Sequence, residues 1–196
     1  MTVLQIMDYA APYPGNFIPS IEYLEQKLME NGHRMVYLLP ERARGIVWVK
    51  KMLADGKSVR FLDNAFFSKK VKYALIKELL RLVKKEDIEI LHMYFVAYNY
   101  NLMFVKLLMG SRIKVVGHFQ NHYQPPSNFI RPLKNSSIRK TFDLVIGASE
   151  SVADSILKQG IDPKKVSWLN SSIDTTHLED YEDLRLAMKP GQKIIM

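Results

Sequence analysis

Short apolar runs alternate along this chain with longer stretches of helical period. TVLQIM, residues 2–7, leads into a Pro/Gly turn, DYAAPYPGN. Beyond it Ile18, Ile21, Leu24 and Leu28 recur at helical spacing, while Glu22, Glu25 and Lys27 fall between them as a solvent face would. A second apolar run, RMVYLLP, follows Asn31 and Gly32, so residues 2–40 read as one βαβ unit. Asn16 is the expected helix cap, Pro19 is tolerated in a first turn, and Gly32 supplies a left-handed stop. The turn is thereby expected to present the backbone N–H groups of Gly15, Asn16 and Phe17 beyond the carboxyl end of the first strand. Open α/β sheets bind anions and ligands there.

The same alternation continues. Ile46, Val49, Met52 and Leu53 predict a helix stopped by Gly56, and SVRFLD reads as a third strand. Residues 66–85 carry the clearest helical pattern, with Val71, Leu75, Leu79 and Leu82 on one stripe and a strongly basic opposite side. IEILHM, IKVVGH and DLVIGAS are three more apolar runs that each end in a polar residue, and VSWLN is a seventh candidate strand. Helices are expected over 99–109 and 149–159, the latter capped by Ser149 and stopped by Gly160. A further one over 127–140 is interrupted by Pro132. The pattern predicts an α/β fold, a doubly wound, mostly parallel Rossmann-like sheet of about seven strands flanked by helices. Past Asp174 the chain turns acidic and irregular and then reads KPGQKIIM, a strand just begun. That organisation predicts one domain over 1–175, with 176–196 a linker and the first strand of another.

Composition narrows the class. With 196 residues, 47% of them hydrophobic, the chain has material for a sizeable core. No run has the length and apolarity of a spanning helix, and the first residues lack a basic segment followed by an apolar one, so the cytoplasm is the default expectation. The absence of cysteine excludes disulfides, thiolate metal sites and cysteine nucleophiles. The formal charge of +8 implies attraction to phosphate groups. Seven of the basic residues fall in 66–85 against one glutamate, and there Phe66, Phe67, Lys69, Lys70 and Lys72 combine aromatic anchors with charge suited to an anionic membrane surface. No DNA- or RNA-binding motif accompanies the charge, so nucleic acid is not an expected partner.

The candidate chemistry lies at the predicted strand ends. His92 and His118 are each placed at the end of a strand, pointing into one crevice. Gln120, Asn121 and His122 enrich the same loop with hydrogen-bonding groups and bring no carboxylate, which suits recognition of hydroxyls better than hydrolysis. Without a nearby carboxylate, His118 and His122 do not make a metal site. The single glycine at Gly15 does not complete a G-x-G-x-x-G fingerprint, so nicotinamide binding is disfavoured and Glu41 reads as a surface residue. Ser149 and Ser151 do not complete G-x-S-x-G, and helix capping accounts better for Ser149. Asp8 and Asp143 flank strands, as catalytic bases or as turn residues. These residues alone leave a stand-alone nucleotide-binding or membrane-surface module open.

In order and spacing, these segments resemble the N-terminal half of a family 4 glycosyltransferase of the GT-B fold. PYPGN, NGHRMVYLL, LHMYF, VVGHFQN, DLVIGASESV, GIDPKKV and Ser171-Ser172-Ile173-Asp174 stand where that family has its first turn, its second, fourth and fifth strands, its serine segment, its lysine stretch and its linker. The family's frequent Gly-Gly is here Gly15-Asn16, and its Asn-Gly is Ser171-Ser172. The resemblance implies a retaining transferase that moves a sugar from a nucleotide diphosphate sugar to a glycan or lipid-linked acceptor, without metal or other cofactor. The donor would be bound mainly by a C-terminal domain, whose E-x7-E carboxylates this chain lacks, leaving the chain inactive alone. It implies further that His118 lies beside the transferred sugar, with Gly15, Asn16, Phe17, His92, Gln120, Asn121 and Ser149 around donor or acceptor. Lipid-linked acceptors fit a cytoplasmic protein lying peripherally at the inner membrane face.

Overall fold

The computed structural model describes residues 1–15, 17–62, 72–94, 100–122, 136 and 138–170. Its strands are β1 (Thr2–Met7), β2 (Arg34–Pro40), β3 (Val59–Leu62), β4 (Ile90–Tyr94), β5 (Lys114–Phe119), β6 (Leu144–Gly147) and β7 (Val166–Trp168). The helices are α1 (Ile18–Glu30), α2 (Val47–Ala54), α3 (Tyr73–Lys85), α4 (Tyr100–Met109) and α5 (Glu150–Leu157). All seven strands pair in parallel in the order β3-β2-β1-β4-β5-β6-β7. From β1 the chain winds outward through β2 and β3, then crosses back to place β4 on the other side of β1. That reversal makes the gap between the loops after β1 and β4 the topological switch point, where such sheets bind ligands.

The strands are near-continuous apolar runs because both faces of the sheet are covered. On one face Met7, Tyr37, Leu39 and Tyr94 pack with Phe17, Ile18 and Ile21 and with Trp48, Val49 and Met52 of α2. On the other, Leu4, Ile6, Leu38, Leu91 and Val115 pack with Leu79 of α3, Leu102 and Val105 of α4, and Val152 and Ile156 of α5. Gly32, Gly56 and Gly160 have positive φ and stop α1, α2 and α5 as expected. Among the described residues no helix is long and apolar enough to cross a membrane.

Several expected boundaries and faces are corrected. The basic helix does not run through residue 72: Lys72 is extended at the N-cap and α3 begins at Tyr73. Its buried stripe is Leu75, Ile76, Leu79 and Val83: Leu75 and Leu79 lie on it as expected, Leu82 is only half-buried, and Val71 lies outside the described residues. In α2 the buried residues are Trp48, Val49 and Met52, and Leu53 faces solvent. Glu25, expected on the solvent face of α1, is buried, because Tyr37 Oη donates to its Oε2 at 2.8 Å and Lys57 Nζ lies 2.5 Å from the same oxygen. Only 136 and 138–140 of the interrupted 127–140 pattern are described, and these are helical. The linker 171–175 and residues 176–196 lie outside the described residues, as do Asn16, Phe66, Phe67, Lys69 and Lys70.

Candidate functional site at the carboxyl edge of the sheet

The loop leaving β1 is held by aromatic packing. The Tyr9 ring meets Phe17 edge-on at 4.9 Å and lies 5.9 Å from Trp48, whose indole N–H donates to the Ala11 carbonyl at 2.9 Å. Phe17 stacks on Tyr94 at the end of β4, with centroids 5.1 Å apart. A Cβ at residue 15 would collide with the buried Phe17 ring, so packing favours glycine at this position. Phe17 contributes a side chain to the wall, where the sequence pointed to its backbone amide. The next amide, Ile18 N–H, is taken by the Gly15 carbonyl at 2.9 Å.

The row continues into the histidines. Parallel register sets Tyr94 opposite His118 and Gln5 opposite His92, all on one face. Tyr94 and His118 have ring centroids 4.4 Å apart, and His118 stacks on His92 at 5.9 Å. His92 sits in the middle of β4, not at its end. It is the support beneath His118, and its Nδ1 lies 2.7 Å from Gln5 Oε1. The amide oxygen of Gln5 can only accept, so His92 carries its proton on Nδ1 and presents Nε2 as an acceptor. Burial lowers the pKa of His92 to about 4, helped by the neighbouring His118, and burial likewise lowers His118 to about 4. Burial raises the pKa of the Tyr94 hydroxyl. At neutral pH the crevice is therefore lined by uncharged imidazole, phenol and amide.

Four buried side-chain nitrogens lack a hydrogen-bond partner among the described residues: Gln5 Nε2, His92 Nε2, His118 Nε2 and Gln120 Nε2. All four belong to this row. Buried polar groups in folded proteins are nearly always paired, so four orphans in one patch mark a place for a polar guest, water or ligand. An uncharged wall of such groups is chemically matched to hydroxyls, which both donate and accept.

The other sequence-predicted residues separate from this row. Asn121 and His122 are exposed beyond β5, and His122 Nε2 meets Ser151 Oγ at 3.1 Å. Ser149 caps α5, accepting from Val152 N–H at 3.3 Å, so its hydroxyl is engaged in structure. Glu41 is paired with Arg44, and Asp8 with Arg42. Asp143 precedes β6, at the opposite edge of the sheet from the crevice. Burial would raise its pKa, but hydrogen bonds from Lys106 and the Val115 amide outweigh burial and lower it. Lys72 is exposed. Gln5 and Tyr94 escaped the sequence reading, although a lone glutamine inside TVLQIM was the available signal.

With the fold and crevice defined, comparison with known proteins decides the family. The Glycosyltransferase Family 4 pattern matches residues 20–177. The chain belongs to that family. No curated protein matches it by sequence. A glycosyltransferase from Rickettsia africae is similar in structure, with a TM-score of 0.68 at 18% identity over 96% of this chain and 50% of that one. Anabaena HepE in complex with UDP gives 0.64 at 14% identity, over 95% and 50%. The UDP-GlcNAc 2-epimerase from Neisseria meningitidis bound to UDP-GlcNAc gives 0.59 at 12% identity, over 95% and 51%. At these identities the likeness is one of fold, and the family 4 chain spans about half the length of the solved structures it matches. The seven-stranded parallel sheet is the Rossmann-like half of such GT-B enzymes.

Proposed function

We propose that this chain is the acceptor-side half of a retaining, metal-independent glycosyltransferase that moves a sugar from a nucleotide diphosphate sugar to a glycan or lipid-linked acceptor. The observation that carries this reading is the set of four unpartnered buried nitrogens at the switch point, within a family 4 domain. In this reading His118 hydrogen-bonds a hydroxyl of the transferred sugar or acceptor. Gln5 fixes the tautomer of His92, which holds His118 from below, and Gln120 and Tyr94 complete the wall. Asn121 reaches the acceptor from the rim. Gly15 borders the cleft on the β1 side as a second domain closes over it. In this reading the second domain holds most of the nucleotide.

The test is turnover of a panel of nucleotide diphosphate sugars, followed by release of the nucleotide. The 196-residue chain alone is expected to release none, and a protein continued by a second Rossmann half is expected to turn over. Transfer by the chain alone would refute the division of labour. Tight binding of a free nucleotide to the chain alone would favour a stand-alone nucleotide-binding protein.

A further inference from the structure

Away from the crevice, α3 and α4 pack side by side on the outer face of the sheet and leave a groove of about 950 Å³ between them. Ile76, Leu80, Phe104 and Leu108 form its apolar floor, and Lys77, Arg81, Lys84 and Lys85 rim it. At i, i+4, i+7 and i+8 these cations make a row about 12 Å long on one side of the helix. α3 carries a single acid, Glu78. None of the four cations has an ion-pair partner among the described residues. On α1, on α2 and before β3, by contrast, Lys27 is paired with Glu30, Lys51 with Asp55 and Lys57 with Glu25.

The apolar side of this surface is equally unpartnered. Tyr73 is 80% exposed, Leu107 73% and Leu108 64%, all on the same two helices. The one cation of α4, Lys106, is turned inward to Asp143 at 2.7 Å, which leaves the exposed end of that helix aliphatic. A hydrocarbon-lined groove bordered by unpaired cations matches an amphiphile with an anionic head and an apolar body.

We infer that the α3–α4 face docks on a lipid bilayer carrying anionic headgroups, with Lys77, Arg81, Lys84 and Lys85 at the phosphates and Tyr73, Leu107 and Leu108 below them. Charge complementarity selects this occupant. A second copy of the chain would bring the same unpaired cations against themselves, with like-charge repulsion along the row. The inference is independent of whether the crevice transfers a sugar, since it rests on another face and a different set of residues.

The experiment is flotation of the 196-residue chain with vesicles of phosphatidylcholine alone, or with about 30% phosphatidylglycerol, across a salt series. Binding is expected to the anionic vesicles only, falling as salt rises. Arg81→Gln with Lys84→Gln should weaken it about 25-fold, at about fivefold per cation. Leu107→Ser with Leu108→Ser should weaken it about tenfold with the salt dependence retained, as expected for apolar insertion. Both pairs are on exposed side chains, and unchanged circular dichroism will verify the fold. Lys27→Gln with Lys51→Gln is expected to bind as the unaltered chain does. Equal binding to neutral vesicles, no binding at low salt, or equal loss from the Lys27 and Lys51 pair would each overturn the inference. So would a dimer that Leu107→Ser with Leu108→Ser dissociates, which would assign the face to a second copy.

Discussion

The two edges of the sheet treat buried polar groups in opposite ways. At the amino edge those among the described residues, and the half-buried Asp143, are saturated. Glu86 receives Arg60 Nη2 at 2.6 Å and Arg34 Nη1 at 3.2 Å, and Arg34 also donates to the Glu86 carbonyl. Asp143 takes Lys106 Nζ at 2.7 Å and the Val115 amide at 2.9 Å. Toward the carboxyl edge, Gln5, His92, His118 and Gln120 keep nitrogens without partners among the described residues. Saturated groups tie helices to strands, so altering them costs stability. Unsaturated ones are already costly in the folded chain, so altering them is expected to leave stability nearly untouched.

Acid should separate the two edges with the largest effect. A histidine whose folded pKa lies below its unfolded value binds its proton more readily when unfolded, so stability is complete above the unfolded pKa and falls with pH below it. His92 and His118 go from an ordinary 6.5 to about 4, so each is expected to remove about 1.4 kcal/mol per pH unit across that window. The lowered carboxyls of Glu86 and Asp143 act later: their contribution is complete above their ordinary values of 4.5 and 3.8 and is lost as pH falls further. Urea melts between pH 7 and 4.5 should show the histidine slope, and His92→Phe with His118→Phe should flatten it. A wild-type slope of zero there would contradict the buried, neutral pair.

Glu86→Ala comes next. It leaves two guanidiniums without their shared carboxylate and is expected to cost about 2 kcal/mol in a urea melt, with no change in any sugar contact. Gln5→Leu should have the smallest effect on stability, within about 1 kcal/mol, because it removes an orphan amide along with one hydrogen bond. It should nonetheless release the His92 tautomer, visible in the ring nitrogen shifts. A loss from Gln5→Leu as large as that from Glu86→Ala would erase the distinction between the edges.

Periodicity carried most of the fold. The alternation of runs, the three glycine stops and the Ser149 cap are local signals, set by backbone sterics and by the capping preference of a serine before Glu150. Less was legible where partners come from distant segments. Glu25 looks solvent-facing until Tyr37 and Lys57, 12 and 32 residues on, close over it. His92 seemed a strand end because the sequence does not mark where pairing stops, and β4 runs two residues past it. The histidine crevice was anticipated from strand ends, yet Tyr94 and Gln5 enter it through register across β1, β4 and β5, which no single segment encodes. Gly15 was read as an anion turn; its collision with Phe17 depends on a ring held by residues on two other elements.

The most direct test of the central claim is the nitrogen spectrum of the imidazoles in the 196-residue chain at neutral pH, recorded with and without a panel of monosaccharides. One or more sugars are expected to move the Nε2 signal of His118, with a smaller response at His92, while His33 and His122 stay in place. Signals of His118 and His92 unmoved by every sugar, with the two rings neutral and folded throughout, would contradict a sugar-binding wall at the switch point.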